Sequence, residues 1–111
     1  MDISLTKDAD KLICLIYKEF LSRRSHGTSK SQAKDFGNPT EWPKSFLSEF
    51  SADDMGDTLA ELKQSGIIKL YINNGFQLED FGIIYMEQRF PNGVAQVLDW
   101  IGKFKSVIPF V

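Results

Sequence analysis

The residues that could carry catalysis or bind a metal are few, and they stand far apart along the chain. The one histidine, His26, lies in a serine-rich basic stretch, where a histidine is ordinarily a surface residue. The one cysteine, Cys14, stands among isoleucines and leucines, so we expect a small buried apolar side chain rather than a nucleophile. Asp53 and Asp57 are one helical turn apart and could share a hard cation, but no histidine or loop of carbonyl ligands accompanies them. Because no glycine-rich phosphate loop follows any predicted strand either, we predict no enzymatic activity, no metal site and no cofactor.

Length and composition indicate one globular domain. The chain has 111 residues, of which 42% are hydrophobic and 13% aromatic. This is enough for a single core and too little for two ordinary domains. A single cysteine excludes an internal disulfide and a cysteine-based zinc site, and it favours a reducing, cytoplasmic compartment. We expect no secretory signal and no membrane span, because the N-terminus lacks a basic start with an apolar run and no apolar stretch is long enough.

Hydrophobic periodicity places these residues on a mainly helical chain with one hairpin. Thr6 is the expected N-cap of a long first helix, KDADKLICLIYKEFLSRR, whose apolar residues recur at spacings of three and four. Ser51 caps a second long helix that ends at Ser65, before Gly66. The segments IIKLYI and FQL, on either side of Asn74-Gly75, predict the two strands of a hairpin. The other predicted helices are Ser31–Phe36, Pro43–Phe50, one within EDFGIIYMEQRF, and an amphipathic C-terminal helix over about residues 94–108.

The order of these elements and the residues LAELKQSGIIKLYINNGFQLEDFGIIYME resemble a winged helix-turn-helix domain. The matching positions are Leu59, Leu62, Gly66, Ile67, Ile68, Leu78, Gly82 and Tyr85. Glu79 stands where the family pattern has a threonine cap. The resemblance covers roughly residues 7–90 and implies an α+β fold, mainly α with a small β-hairpin, to which the C-terminal helix is added. The whole chain also resembles small uncharacterised winged-helix proteins of bacteria and their prophages.

The resemblance implies a role for each element. Ser51–Ser65 corresponds to the recognition helix, Ser31–Phe36 to the helix before it, and Asn73-Asn74-Gly75 to the tip of the wing. Pro43–Phe50 is then an extra piece between the two helices of the motif, and it disturbs their standard turn.

Charge is segregated along the sequence. Residues 18–34 carry five lysines and arginines against one acid, a net charge of +4, whereas residues 41–61 carry six acids against one lysine, a net charge of −5. Affinity for duplex DNA comes mainly from cations that neutralise phosphates. The first turns of the predicted recognition helix, which would reach the bases, are acidic instead. We therefore disfavour major-groove readout through this helix.

Each charged segment has two interpretations. The acidic residues of the predicted recognition helix form either a solvated surface or a surface that contacts a basic partner protein or mimics phosphate charge. We call them the acidic face: Asp53, Asp54, Asp57 and Glu61. Residues 18–34, the basic segment, form either a polar loop or a contact for nucleic acid or for an acidic partner surface. Its candidate contact residues are Arg23, Arg24, Lys30 and Lys34.

The C-terminal helix carries more apolar surface than one buried stripe requires. Packing against the first helix would account for the excess. So would a seam with a second copy or a partner, or contact with a membrane surface. The residues concerned are Trp100, Phe104, Val107 and Phe110.

The leading hypothesis is a non-enzymatic, cytoplasmic winged-helix protein of bacterial or prophage origin that acts through protein–protein interaction. The alternative is a DNA-binding transcriptional regulator that contacts DNA through residues 18–34. A homodimer formed through the C-terminal helix is compatible with both hypotheses.

Overall fold

The chain folds into a mainly helical core with a small three-stranded antiparallel sheet packed against it. The computed structural model describes residues 3–72 and 75–107, without the side chains of residues 45, 47 and 104–107. The elements in chain order are α1 (Lys7–Ser25), α2 (Lys30–Ala33), β1 (Asp35–Gly37), a 3-10 turn (Pro39–Glu41), α3 (Lys44–Glu49), α4 (Ala52–Gln64), β2 (Ile68–Leu70), β3 (Phe76–Leu78), α5 (Asp80–Arg89) and α6 (Val94–Val107). The predicted class, mainly α with a small β component, is confirmed.

Helix α1 is enclosed by the rest of the fold along its central turns. All six residues from Leu12 to Tyr17 are buried, including Cys14, so apolar side chains leave the helix in every direction. Helices α2, α3, α4 and α6 all pack against it. A helix that is apolar on all sides is stable only when neighbours cover it, and α1 is accordingly the centre of the core.

The start of α1 is tied to α4. Thr6 is the N-cap, as predicted, and its hydroxyl accepts a hydrogen bond from the backbone N–H of Ala9. The backbone N–H and the hydroxyl of Thr6 also donate to the two carboxylate oxygens of Glu61, at 2.9 and 2.7 Å. One carboxylate on α4 therefore fixes where α1 begins.

A second polar anchor joins α1 to α5 and α6. The Arg89 guanidinium forms a two-pronged ion pair with the Asp10 carboxylate, in which Nη2 lies 2.9 Å from Oδ2. The indole Nε1 of Trp100 donates to the same carboxylate at 3.2 Å. The Arg89 guanidinium also stacks over the rings of Phe90 and Trp100, at 4.8 and 5.1 Å from their centroids. All these groups are partly or largely buried. Removal of any one of them would leave a buried polar neighbour without its partner, which destabilises the folded state.

The sheet contains one strand more than the hairpin predicted from the sequence. Its order is β1-β3-β2, with β3 antiparallel to both neighbours. The predicted helix Ser31–Phe36 was wrong in its second half, since α2 ends at Ala33 and Asp35–Gly37 forms β1. The buried ring of Phe36 stacks on that of Phe76 with a centroid separation of 4.9 Å. A helix this short has little stability of its own, so burial of Phe36 against the sheet decides the conformation.

The predicted hairpin is present between β2 and β3. The register places Ile68 opposite Leu78 and Leu70 opposite Phe76. Beyond the strands, the backbone N–H of Tyr71 donates to the carbonyl of Gly75 at 2.8 Å. Asn73 and Asn74 of the predicted wing tip lie outside the described residues.

Helix α6 follows the predicted bounds but buries a narrower face than expected. Val97 and Ile101 are buried against the core, whereas Val94 and Leu98, which the sequence placed on the same apolar side, are 43% and 49% exposed. The reason is geometric: α6 packs mainly on α1, so the covered strip of its surface is narrow.

The glycine of the EDFG segment allows α5 to approach the start of β2 closely. A Cβ atom at Gly82 would lie 2.6 Å from the backbone carbonyl oxygen of Ile67. That carbonyl also accepts a hydrogen bond from the N–H of Glu79 at 2.9 Å. We expect Gly82→Ala to lower the free energy of unfolding by about 1–3 kcal/mol, as measured by urea denaturation, because backbone must move to admit the methyl group.

Gly56 provides the matched control, because it also lies in a helix but has no atom within 4 Å of an added Cβ. Gly56→Ala should raise the free energy of unfolding by roughly 0.5–1 kcal/mol through helix propensity alone. Equal effects of the two substitutions would contradict the close approach at Gly82.

The Asp10–Arg89 pair should contribute far more to stability than an exposed pair. The two side chains are 18% and 22% exposed, so Arg89→Met leaves a largely buried carboxylate whose remaining described side-chain partner is the Trp100 indole. We expect a loss of about 2–4 kcal/mol in the free energy of unfolding. The control is Asp99→Asn, which breaks the exposed Asp99–Lys103 pair and should cost less than about 0.5 kcal/mol. A loss of similar size in both variants would show that burial of the Asp10 anchor is unimportant.

Candidate functional site

Three of the four acids of the acidic face lie together on the exposed side of α4. Ser51 caps this helix, and its hydroxyl accepts a hydrogen bond from the N–H of Asp54 at 3.2 Å. Asp53, Asp54 and Asp57 are exposed, and among the described residues no ion pair involves them. The opposite side of α4 is buried in the core through Met55, Thr58, Leu59 and Leu62. The helix thus directs uncompensated negative charge to solvent.

Glu61, the fourth acid, has a different role. Its carboxylate is half-buried and already accepts two hydrogen bonds from Thr6. Sequence reasoning grouped it with the aspartates because it is acidic and lies on the same helix. Its contact with a residue that is 55 positions away carries no local sequence signal.

An apolar cleft of about 620 Å³ opens beside the acidic face. One wall is the first half of α4, and the other consists of the end of β2, the residue after it and the 3-10 turn. The lining side chains are predominantly apolar and aromatic: Pro39, Trp42, Phe50, Met55, Leu59, Leu70 and Tyr71, with Ser51, Ala52 and Gly56 at the edge of α4. The volume is in the range of sites that accept a small molecule or a large side chain.

Two features of the sequence belong to this cleft, although neither was recognised as a site. Gly56 lies inside an otherwise regular amphipathic helix, where glycine is unfavourable, and nothing in the described structure occupies the space next to it. Tyr71 lines the opposite wall, and its hydroxyl hydrogen-bonds to the side-chain oxygen of Gln77. Desolvation raises the pKa of Tyr71, and the charges of Asp35 and Glu79 raise it further, so the ring presents a neutral hydroxyl.

Arg23 of the basic segment is engaged within the fold. Its Nε lies 3.1 Å from Glu19, and its Nη1 donates to the carbonyl groups of Ala33 and Asp35 at 3.3 and 3.0 Å. The guanidinium also stacks on Phe36, 4.3 Å from the ring centroid. Arg23 therefore holds the α2–β1 connection against α1.

Two of the candidate contact residues of the basic segment, Lys30 and Lys34, share one acid. Lys34 and Lys30 lie 3.2 and 3.5 Å from the same oxygen of Asp80, and Arg24 and Lys30 line a shallow depression that also contains Asp80 and Glu87. The hydrogen bond from Lys34 and the charges of the two lysines lower the pKa of Asp80. The positive charge counted along the sequence is thus partly neutralised by a residue from α5. Nearby, the exposed ring of His26 makes a 2.7 Å hydrogen-bond contact between Nδ1 and the carbonyl oxygen of Ser22.

The candidate seam of the C-terminal helix is only partly described. Trp100 is half-buried and turned towards Asp10 and Phe90, which agrees with packing inside the fold. The side chains of Phe104 and Val107 are outside the description, and Phe110 lies outside the described residues. Within residues 3–72 and 75–107, no helix combines the length and apolarity needed to cross a bilayer.

Metal-ligating and nucleophilic groups do not cluster in the described part of the chain. No three histidine, cysteine, aspartate or glutamate side chains come close enough there to hold a metal ion. Cys14 is fully buried, as predicted. Burial, with a smaller contribution from Asp10, raises the pKa of its thiol from 9.0 to about 12.

Cys14 should therefore react with thiol reagents only when the chain unfolds. At pH 8, a rise in thiol pKa from 9.0 to about 12 lowers the thiolate fraction roughly a thousandfold, and burial adds a barrier to access. We expect reaction with a chromogenic disulfide to be at least about a thousand times slower in buffer than in guanidinium chloride. Rapid reaction of the folded protein would show that α1 is not enclosed as described.

Comparisons with protein-family models, with curated proteins and with solved structures found no match to this chain. Within the described residues, α4 and the adjoining cleft combine exposed negative charge with an open apolar surface.

Proposed function

We propose that this chain is a winged helix-turn-helix protein that works by binding another protein through the exposed side of α4. The element order supports the winged-helix assignment, since two helices, α3 and α4, directly precede an antiparallel hairpin. In this assignment α4 takes the place of the recognition helix. The helix before it is α3 rather than the Ser31–Phe36 segment, so Pro43–Phe50 is part of the motif and not an extra piece.

The observation that carries the proposal is the exposed row of Asp53, Asp54 and Asp57. If α4 entered the major groove, its first turns would bring three carboxylates close to the phosphate backbone. The interaction would be repulsive where DNA-binding proteins gain most of their affinity. The same carboxylates attract a surface rich in lysine and arginine, and they accelerate its association.

DNA binding through the basic segment receives less support. Arg23 contacts Glu19 and two carbonyl groups, and Lys30 and Lys34 share Asp80. Recruiting these cations to phosphate would require breaking contacts that they already make. Arg24, which donates to the carbonyl of Thr28 at 3.1 Å, and Lys30 are the exposed cations among the four.

We further propose that the protein acts in the bacterial cytoplasm and that its gene is of bacterial or prophage origin. The single, buried Cys14 is compatible with a reducing compartment. The origin rests on the sequence resemblance alone.

Charge reversal on α4 should abolish capture of the partner. We expect the tagged full chain to retain a protein from a bacterial lysate, and Asp53→Lys with Asp57→Lys to reduce its recovery at least tenfold, a loss of about 1.4 kcal/mol or more. The control is Glu87→Lys with Asp99→Lys, two exposed positions on α5 and α6. Each pair of reversals changes the formal net charge from −2 to +2, so the control separates position from overall charge.

Two results would oppose the proposal. Equal recovery by the α4 variant and by its control would mean that the aspartates are merely solvated. Micromolar binding of mixed-sequence duplex DNA that weakens steeply with salt, and is lost in Arg24→Glu with Lys30→Glu, would favour the DNA-binding alternative. Circular dichroism of each variant would confirm that it remains folded.

A further inference from the structure

The cleft beside α4 is an apolar surface that is open to solvent. It is lined by Met55 and Leu59 of α4, by Leu70 of β2 with Tyr71 after it, and by Trp42 and Phe50. Next to Tyr71, the side chain of Ile72 is fully exposed, the most exposed large apolar residue in the described structure. An open apolar recess of this kind is typical of an interaction site.

The α4 wall of the cleft leaves room for an incoming side chain. Gly56 lines this wall, and no atom lies within 4 Å of the position that its Cβ would take. Nothing within the described fold requires glycine at this position, and glycine weakens the helix by roughly 0.5–1 kcal/mol relative to alanine. The missing side chain does have one geometric effect, which is to widen the cleft at its middle.

The charges around the cleft define the chemistry of its occupant. Asp53 and Gly56 are three residues apart and so are neighbours on the helix surface, and Asp57 directly follows Gly56. The rim beside the first turns of α4 is therefore acidic. Lys63, four residues beyond Leu59, lies at the other end of the same side of the helix. A complementary partner carries cations towards the start of α4 and an apolar side chain in the middle.

We propose that this cleft binds an amphipathic, basic segment of the partner protein, with one large apolar side chain inserted beside Gly56 and lysine or arginine residues against Asp53 and Asp57. This inference rests on the proposed function and adds the chemical class of the bound segment. Apolar burial supplies most of the affinity, and the carboxylates select for positive charge.

A second copy of this chain fits the cleft poorly. A two-fold dimer would bring the same surface of each copy together, and Asp53 and Asp57 of both copies would then face one another. Duplex DNA fits no better, because its phosphates meet the same carboxylates and it has no aliphatic side chain to insert.

The test uses two fluorescent peptides of equal length, one of leucine and lysine in amphipathic order and one with every lysine replaced by glutamate. We expect the leucine–lysine peptide to bind the full chain at least tenfold more tightly than its acidic counterpart in low salt, as measured by fluorescence anisotropy. Asp53→Asn with Asp57→Asn should weaken its binding about fivefold, and this difference should disappear at high salt because screening removes it.

Blocking the cleft separates insertion from charge attraction. Gly56→Trp fills the open space and should weaken binding of the leucine–lysine peptide at least tenfold, whereas Gly56→Ala, which adds one methyl group, should weaken it less than about threefold. Ala52→Trp, at another exposed lining position, gives a second blocking variant if Gly56→Trp fails to fold.

Three results would overturn the inference. Unchanged binding in both folded tryptophan variants would mean that the peptide does not enter the cleft, while partner capture through the aspartates could still stand. Equal affinities for the acidic and the leucine–lysine peptides would show that the carboxylates do not select for positive charge. Self-association of the wild type in sedimentation, lost in Gly56→Trp, would place a second copy in the cleft instead.

Discussion

The burial of α1 on every side is the constraint on which the remaining structure depends. Its central residues, from Leu12 to Tyr17, carry apolar side chains apart from the tyrosine hydroxyl. Four other helices pack around them and remove them from water. Apolar burial is non-directional, so by itself it specifies the axial position of such a helix less sharply than polar contacts do. The polar anchors fix that position: Thr6 is held by Glu61, and Asp10 is held by Arg89 and Trp100.

This arrangement also determines what α4 presents to solvent. One side of α4 is buried in the core, and Glu61 accepts hydrogen bonds from Thr6 at the start of α1. Asp53, Asp54 and Asp57 therefore face outwards. The cleft is bounded by the same helix, so apolar and acidic surfaces meet along one edge. Partner recognition of this kind combines insertion of an apolar anchor with charge complementarity around it. The fold supplies both features from a single element.

Local signals in the sequence were sufficient for most of the elements. The Thr6 and Ser51 caps, the apolar face of α1 and the hairpin all depend on residues within a few positions of one another. The third strand was not predictable in this way, because Phe36 becomes part of a sheet only through contact with Phe76, forty residues away. The cleft was missed for the same reason, since its walls come from separate segments.

Side-chain roles were less predictable than elements. Arg23 and Glu61 were assigned to binding surfaces from their charge, yet both make internal contacts with distant or backbone partners.

The pairing of α1 with α6 has a consequence for synthesis of the chain. The ribosome releases α1 long before α6, so the apolar surface of α1 that α6 covers stays exposed on the nascent chain until this last helix emerges.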